Sequence, residues 1–362
     1  MPGALCFIRA MTPIARRLRL IGSCLALAGL GVSARGQDTP APPASQEEAG
    51  FQGYLQLLAA RARAEGVREA TIQQMLAGLT FNPRVIALDR AQPGSSTTPS
   101  AAPAFAPYRR THVDAARIGA GRTMYANVAT IARPIEQRFG VPAPILLAIW
   151  GHETNYGRYT GDFDLARSLA TLAFEGRRRA LFSDEFIALL KMADRGVPRD
   201  RLKGSWAGAF GNPQFLPSMY LRLAVDGDGD GFRDIWSSRA DTLASIANYF
   251  RDAGWKAGQP WGVAARVPAG LDRASLGSLM AAPECPRVHA RHSRWLTVAE
   301  WRARGVEPLA PIGDGVLASL LEPDGPGQTA YLLTGNYRVI LEYNCSNYYA
   351  LSVGLLADEI AR

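Results

Sequence analysis

The sequence predicts an α+β protein that is mostly α-helical. Apolar residues recur at helical spacing from Phe51 onward, and again along one face of a predicted helix over roughly 114–139. After Trp255, short strand-like segments split by Gly, Pro and Asp run from "WGVAARVPAG" to "YRVILEYN". The apolar segment "YALSVGLLADEI" then predicts a last helix. The expected order is a linker at 35–50, an N-terminal helical region at 51–135, a core at 136–260, a small β-rich subdomain at 261–342 and a C-terminal segment at 343–362 that returns to the core.

The first 34 residues, 1–34, are typical of a secretory signal peptide. An Arg-rich leader precedes the apolar core "LIGSCLALAGLGV", and the small residues of "VSA" suit a signal peptidase. An alternative is a lipoprotein in which Cys24 carries lipid and anchors the protein to a membrane. Most of the apolar core follows Cys24, which favours export without an anchor. The rest of the chain has no apolar run of the roughly 18 residues that a membrane helix needs.

The charge balance narrows the class of partner. The chain has 362 residues and a formal net charge of +8, and loss of residues 1–34 leaves 36 basic against 32 acidic residues. This mildly basic balance suits an anionic polymer of the cell envelope. No cluster of Lys and Arg is interleaved with aromatic residues as in a nucleic-acid groove, so we expect no nucleic-acid partner.

Two cysteines, Cys285 and Cys345, remain after the predicted signal peptide is removed. Two cysteines in an exported protein favour one disulfide between them. The bond would close a loop of about 60 residues, which corresponds to about 4 kcal/mol in the chain-entropy model. The alternative is two separate buried thiols.

The stretch "AIWGHETNYGRYTG", residues 148–161, places several polar side chains directly after an apolar run. Pro142 and Pro144 can start the helix before it, because a residue in the first turn needs no N–H partner. Gly157 can end that helix. A zinc protease is excluded, because its H-E-x-x-H motif requires a second His where Tyr156 stands.

Glu153 is the candidate proton donor of this stretch. It follows Leu146 and Ile149 on one helix face, which would place its carboxyl at the rim of an apolar core. Burial at such a rim raises the pKa of a carboxyl, and a protonated Glu in an apolar cleft is what cleavage of a glycosidic bond requires. The alternative is a surface Glu that pairs with Arg158.

The stretch "GSWAGAFGNPQFLPSMY", residues 204–220, is rich in small residues that let a backbone or a ligand approach closely. Ser205 and Gln214 are polar residues that stand among mostly apolar residues of this stretch, so they are candidate binding residues. The alternative is a tight contact between two helices in which Ser205 is an N-cap.

The stretch "DGDGDGFRDIW" begins like a calcium-binding loop. Its three Asp occupy positions 1, 3 and 5, and Gly231 stands at the required position 6. Position 12 should be Glu but is Ser237, so Asp234 or Asp241 would have to supply the missing carboxylate. The alternative is a Gly/Asp turn without an ion, with Asp241 as the N-cap of the next helix. The candidate ligands are Asp226, Asp228, Asp230, the Phe232 carbonyl and Asp241.

Together these stretches resemble the membrane-bound lytic transglycosylase B family, from about Phe51 to the end of the chain. The resemblance also includes "GLTFNPRVIALDR", "LATLAFEGRRRALF", "ANYFRDAGW" and "YNCSNYYALSVGLLADEI", in the right order. It implies a lysozyme-like core and an enzyme of the bacterial envelope that cleaves peptidoglycan glycan strands without an organic cofactor. We therefore expect a periplasmic monomer, with calcium as a structural ion if one is bound.

The resemblance also assigns residue roles. It implies that Glu153 is the single catalytic acid, then base, in a reaction that leaves 1,6-anhydro-MurNAc ends. Ser205 would hydrogen-bond the catalytic carboxyl and the substrate acetamido group. Substrate-binding positions would further include Gln214, Tyr249, Tyr343, Asn344 and Tyr349. His152 departs from the family, which commonly has an apolar residue before the Glu, and so does Asn212–Pro213.

Two other functions stay open at this point. A true hydrolase would let water attack and would need a second carboxylate, for which Asp162 and Asp164 are candidates. A non-catalytic peptidoglycan-binding protein would not need Glu153, Ser205 and Gln214 together. Anhydro ends, reducing ends or no soluble fragments would distinguish the three.

Overall fold

The computed structural model describes residues 44–92, 104–278 and 285–362; the predicted signal peptide and Cys24 lie outside the described residues. The helices are α1 (Ala44–Ala64), α2 (Glu69–Leu76), α3 (Pro83–Arg90), α4 (Phe105–His112), α5 (Ala115–Phe139), α6 (Ala143–Thr154), α7 (Leu165–Glu175), α8 (Arg179–Asp194), α9 (Pro217–Leu223), α10 (Arg239–Asp252), α11 (Pro286–His289), α12 (Val298–Ala303), α13 (Gly335–Tyr343) and α14 (Asn347–Ala361). The strands are β1 (Phe163–Asp164), β2 (Lys203–Gly204), β3 (Gly262–Arg266), β4 (Leu296–Thr297), β5 (Glu307–Pro308), β6 (Leu317–Leu321) and β7 (Ala330–Leu333). None of the helices in these ranges combines the length and the apolar character needed to cross a bilayer.

The chain forms two compact units, and each is built from separate stretches of sequence. One, the Glu153 unit, contains 104–159 and the described residues from 223 to the end; the other, the Ser205 unit, contains 44–92 and 160–222. This division differs from the predicted linear order, in which one N-terminal region covers 51–135. Helices α1, α2 and α3 pack on α7 and α8.

An aromatic cluster explains why the N-terminal helices join α7. Phe51 of α1 contacts Phe81 and Phe174, with ring centroids 6.0 and 5.8 Å apart. Phe81 and Phe174 also meet edge to face at 5.8 Å. Such pairs bury large apolar surfaces in preferred geometries. The hydrophobic spacing of 51–79 therefore packs against a segment about 100 residues later in the chain.

In the Glu153 unit, α6 packs against α5, α10 and α14. A helix that is apolar on all sides has to be buried on all sides, and nine of the twelve residues of α6 are buried. The predicted helix start is confirmed: Pro142 is the N-cap of α6 and Pro144 lies in its first turn. The predicted helix over 114–139 is confirmed as α5, which begins after the N-cap Asp114.

The predicted β-rich subdomain is present as a five-stranded antiparallel sheet with the order β4-β6-β7-β3-β5. Its buried core includes Trp301 of α12, whose indole N–H donates to the Ala318 carbonyl at 2.9 Å. Cys285 and Cys345 are joined by the predicted disulfide, with Cα atoms 5.8 Å apart. The bond connects the start of α11 to the segment just before α14.

Two predicted elements differ from the structure. Helix α1 begins at Ala44, inside the predicted linker. The segment "YRVILEYN" belongs to helix α13, although its apolar and β-branched residues predict a strand. Thr334 caps α13 by accepting a hydrogen bond from the Asn336 N–H at 3.1 Å, and Tyr337 and Ile340 share its buried face. A short apolar run does not distinguish a strand from a buried helix, so here the N-cap residue Thr334 is the local signal that indicates a helix.

Candidate active site

Helix α6 ends at Thr154, three residues before the predicted stop at Gly157. Asn155 takes the left-handed conformation, with φ 50°, and its N–H donates to the Gly151 carbonyl at 3.1 Å. Asn tolerates this conformation better than most residues, which explains why the helix stops there. Glu153 therefore lies in the last turn, next to the helix end.

Tyr156 holds the turn that follows the helix. Its φ of 59° is unusual for an aromatic residue. Its ring lies against Gly121 of α5 and Gly151 of α6, where a Cβ atom would come within 2.6 and 2.7 Å of it. The Tyr156 hydroxyl donates to the Arg117 carbonyl at 3.4 Å. Burial raises the pKa of Tyr156, so the phenol stays protonated. The two glycines thus make room for the side chain that fixes this strained turn.

The Glu153 carboxyl is half-buried, and the Tyr349 hydroxyl donates to its Oε1 atom at 2.6 Å. Tyr349 is buried in the first turn of α14, where its N–H donates to the N-cap Ser346 at 3.3 Å. A short hydrogen bond to a carboxylate is among the stronger protein hydrogen bonds. The structure therefore brings together two of the residues that the sequence assigns to the site.

His152 lies beside Glu153 on α6, and its contacts are not visible in the sequence. Its Nδ1 atom is 3.1 Å from Nη1 of Arg117 on α5. Its ring packs against the Tyr349 ring, with centroids 5.6 Å apart. Burial, and secondarily the Arg117 charge, lowers the pKa of His152 to about 3. The imidazole is therefore neutral at neutral pH.

The other predicted substrate residues of this unit form a buried cluster. The rings of Tyr249 and Tyr343 meet edge to face at 4.7 Å. Asn344 is the C-cap of α13, and its N–H donates to the Ile340 carbonyl at 3.2 Å. All three predicted residues are buried. They connect α10 to the end of α13, just before the disulfide and α14.

Ser205 and Gln214 belong to the other unit. The Ser205 hydroxyl accepts from the Ala209 N–H at 3.0 Å. Gln214 has φ 53°, and its side-chain amide donates to the Gly211 carbonyl at 2.9 Å. Residues 205–216 form turns and isolated bridges, so the alternative in which Ser205 is the N-cap of a helix is wrong. A Cβ on Gly204 would lie 2.2 Å from the Ala209 carbonyl, so the small residues serve a tight backbone fold.

Asp164, a candidate second carboxylate, is a helix cap in the Ser205 unit. One oxygen accepts from the Arg167 N–H at 2.9 Å, and the other pairs with Arg199 at 2.6 Å. Asp162, the other candidate, is exposed. The capping and ion pairing of Asp164 give it a structural role, which does not favour the hydrolase alternative.

The calcium-type loop brings its three Asp side chains together. One ligand atom from each of Asp226, Asp228 and Asp230 lies within 4.8 Å of the others. Asp226 accepts backbone hydrogen bonds from Gly229 at 2.6 Å and Gly231 at 2.9 Å, and the bond from Gly231 lowers its pKa. The carboxylate therefore stays ionised. Clustered carboxylate oxygens are the hard ligands that Ca²⁺ prefers, so these residues fit the ion.

Asp241 closes the calcium-type loop from α10. Its two carboxylate oxygens accept from the Gly227 N–H at 2.7 Å and the Asp234 N–H at 2.5 Å. Burial raises its pKa, and the charges of Asp228 and Asp226 act in the same direction. Ser238, not Asp241, is the N-cap of α10. Phe232, whose carbonyl is the predicted position-7 ligand, has an exposed side chain.

Comparison with known proteins places this geometry among lytic transglycosylases. Residues 50–358 match the family model described as "Transglycosylase SLT domain". The chain is 33% identical over 279 residues to the membrane-bound lytic murein transglycosylase B of Escherichia coli, covering 76% of this chain and 73% of that protein.

Solved structures give the same result. SltB3 from Pseudomonas aeruginosa, in complex with NAG-anhNAM-pentapeptide, is 39% identical with a TM-score of 0.76, over 86% of this chain and 79% of that chain. Escherichia coli Slt35, in complex with calcium, is 29% identical with a TM-score of 0.68, over 87% of this chain and 93% of that chain. These similarities confirm the predicted fold class, a mostly helical protein with a lysozyme-like core.

Proposed function

This chain belongs to the transglycosylase SLT domain family, and we propose that it is a lytic transglycosylase that cleaves the glycan strands of peptidoglycan. Its similarity to a murein transglycosylase over most of both chains supports this activity. We further propose that it is exported by residues 1–34 and acts in the periplasm as a monomer. Cys24 would be a lipid anchor only if the lipoprotein alternative held.

Glu153 is the single acid and base of the proposed reaction. Its carboxyl protonates the oxygen that links C1 of MurNAc to GlcNAc, and the C1–O bond breaks. The resulting carboxylate takes the proton from the C6 hydroxyl of the same MurNAc, and that oxygen bonds to C1. The product is a 1,6-anhydro-MurNAc end, Glu153 is protonated again, and no water is consumed. An intramolecular nucleophile gains its rate advantage from proximity.

The hydrogen bond from Tyr349 to Glu153 is the observation that carries this proposal. It orients a half-buried carboxyl through a neutral donor, and a carboxyl held in one orientation suits the proposed transfer of a proton to and from the substrate. SltB3 has been solved with a ligand that contains an anhydro sugar, the same end that this reaction would produce.

Substrate binding is proposed for the buried polar and aromatic residues that the resemblance assigns. Aromatic rings and amide side chains suit a sugar polymer, because they present flat apolar faces and hydrogen-bonding groups. The set comprises Ser205, Gln214, Tyr249, Tyr343, Asn344 and Tyr349.

Calcium is proposed as a structural ion of the 226–241 loop, since Slt35 has been solved in complex with calcium. Asp226, Asp228 and Asp230 would hold it, with the Phe232 carbonyl and Asp241 as further ligands. The loop leads into α10, so the ion would order that helix start and take no part in the reaction.

Mass spectrometry of digested cell wall tests the proposed function. Purified peptidoglycan is incubated with the mature protein, and the soluble fragments are analysed with and without borohydride reduction. We expect muropeptides with anhydro ends that borohydride does not change. Reducing ends would show a hydrolase, and intact glycan without soluble fragments would show a binding protein.

A further inference from the structure

His152 lies in the last turn of α6, directly before Glu153, and contacts side chains of α4, α5 and α14. On one side, Nδ1 is 3.1 Å from the guanidinium of Arg117 on α5. On the other, the ring packs on Tyr349 of α14 at 5.6 Å and an interplanar angle of 51°. Tyr349 in turn donates to Glu153 at 2.6 Å. One continuous set of contacts therefore runs from Arg117 through His152 and Tyr349 to the Glu153 carboxyl.

The contact with Arg117 fixes the tautomer of His152. A guanidinium has only donors, so Nδ1 must accept and the proton of the neutral ring must be on Nε2. The protonated Nε2 is buried, and it is the donor of the ring that faces the Ser352 carbonyl of α14. Burial of a polar ring is costly unless its nitrogens are hydrogen-bonded, and an apolar side chain of similar size would avoid that cost. The polar ring is retained at a position where its directed contacts with Arg117 and with the Ser352 carbonyl offset that cost.

We propose that His152 is a positioning residue for the transglycosylase reaction: Arg117 fixes the imidazole plane, the imidazole fixes the Tyr349 ring, and Tyr349 fixes the Glu153 carboxyl. The inference rests on the proposed role of Glu153. A branched apolar side chain could fill the same space, but no hydrogen bond would set its rotation. Catalytic groups need such support, because small errors in their placement cost rate.

The charges around His152 assign it no proton-transfer role. Arg117 faces it from α5 and His112 from α4, Tyr349 and the Ser352 carbonyl face it from α14, and Glu153 is its neighbour on α6. Burial and Arg117 lower the pKa of the ring to about 3, while the Ser352 carbonyl acts in the opposite direction. His152 is therefore uncharged throughout the pH range of the experiment.

A double-mutant cycle tests the inference. His152→Phe keeps a ring but removes the acceptor for Arg117, and Tyr349→Phe keeps the ring but removes the donor to Glu153. We expect His152→Phe to lower kcat about tenfold with KM changed less than about twofold. In the Tyr349→Phe background the same substitution should have no further effect, because the hydrogen bond that transmits it is gone. Equal losses in both backgrounds, or an unchanged kcat, would overturn the proposal.

Two further variants separate positioning from a general loss of structure. Arg117→Met removes the donor to Nδ1 without altering His152, so it should lower kcat by about as much as His152→Phe does. In the Tyr349→Phe background it should have no further effect on kcat. This variant decides the matter if His152→Phe proves too unstable to assay. Arg122→Met is the matched control, because Arg122 lies on the same helix α5 and pairs with Glu359, and its kcat should stay within about twofold of wild type.

The pH profile supplies a second readout. The ratio of kcat between wild type and His152→Phe should be constant from about pH 5 to pH 8, because a neutral ring does not titrate there. A ratio that changes near pH 6.5 would show a titrating His152 and would overturn the positioning role. Rates are measured as release of soluble glycan, whatever its ends, so reducing ends would refute the proposed function while the cycle still decides the role of His152. A wild type that releases no glycan would refute both.

Discussion

Two acidic regions of the Glu153 unit differ in what surrounds the carboxyl groups. Glu153 is a half-buried carboxyl whose hydrogen-bond donor is a neutral phenol and whose neighbour on the helix is a neutral imidazole. Asp226 lies in a loop with two other carboxylates and accepts two backbone N–H groups.

The difference separates the carboxyl that we propose as acid and base from Asp226, whose carboxylate is held in the ionised form by backbone donors. Backbone donors stabilise the ionised form of Asp226, and a cluster of carboxylate oxygens favours a cation. The phenol that donates to Glu153 and the imidazole beside it are both uncharged, which suits the proposed role of this carboxyl as acid and then base. Each region can be tested by removing the feature that defines it.

The largest effect is expected from Glu153→Gln. The amide cannot donate a proton, so release of soluble muropeptides should fall by roughly 10²- to 10⁴-fold while the fold is kept. The rate of release from purified peptidoglycan and the melting temperature should be measured together. Glu359→Gln on α14 makes the same chemical change away from Glu153 and should keep near wild-type activity. Turnover of the Glu153 variant within a few-fold of wild type would refute its role.

The next effect concerns the disulfide that precedes α14, the helix that carries Tyr349. Reduction of Cys285–Cys345 frees a loop of 60 residues and should lower the free energy of unfolding by about 4 kcal/mol. Chemical denaturation with and without reductant measures this difference. The double variant Cys285→Ser, Cys345→Ser should already be destabilised and should not respond to reductant. Two free thiols, alkylated without reductant in protein from the periplasm, would contradict the bond.

The helical elements near Glu153 were largely predictable, and their mutual contacts were not. Pro142, Pro144 and the apolar spacing of α5 and α6 are local signals, so the sequence places both helices closely. The contact between Glu153 and Tyr349 joins residues 196 positions apart, and no local pattern encodes it. Only the family resemblance suggested that Tyr349 belongs to the site.

His152 and α13 show two other limits of sequence reasoning. His152 stood out because an apolar residue was expected, but its partner Arg117 lies on another helix and could not be identified. In α13 the apolar run favoured a strand, and burial on a helical face decided otherwise. The division into two units also depends on contacts such as Phe51 with Phe174, which join distant segments. Local chemistry was predictable, whereas long-range pairing was not.

A smaller effect on stability is expected when the pH is lowered, because His292 is buried as a neutral group. Its Nε2 donates to Asn347 at 2.7 Å in the first turn of α14, and burial lowers its pKa to about 4. Because the folded pKa lies below the unfolded value of about 6.5, the unfolded chain binds the proton first as pH falls. Stability present above pH 6.5 is therefore lost below it, by about 2 kcal/mol between pH 6.5 and 5.

His292→Gln measures this contribution, because Gln keeps a donor but does not titrate. Its free energy of unfolding should be compared with wild type at pH 8, where both side chains are neutral, and at pH 5. We expect the difference between the two proteins to shift by about 2 kcal/mol in favour of the variant at pH 5. His152 remains in both proteins, so some loss of stability in acid should persist. Parallel pH dependences would show that His292 is not buried as a neutral group.

The smallest effect is expected from calcium at Asp226, Asp228 and Asp230. Ser237 replaces the usual bidentate Glu, and both oxygens of Asp241 accept backbone N–H groups, so we expect weak binding, with Kd about 10⁻⁴–10⁻³ M. Calcium at ten times Kd should then stabilise the fold by about 1.4 kcal/mol and raise the melting temperature. Asp228→Asn should weaken this response. Magnesium at equal ionic strength is the control for general screening of the carboxylate charges by salt.

Chelator-treated enzyme should keep its activity at moderate temperature, because the Glu153 carboxyl is held by Tyr349 and not by the loop. A melting curve that millimolar calcium leaves unchanged would make the loop a Gly/Asp turn whose charges are screened by solvent alone.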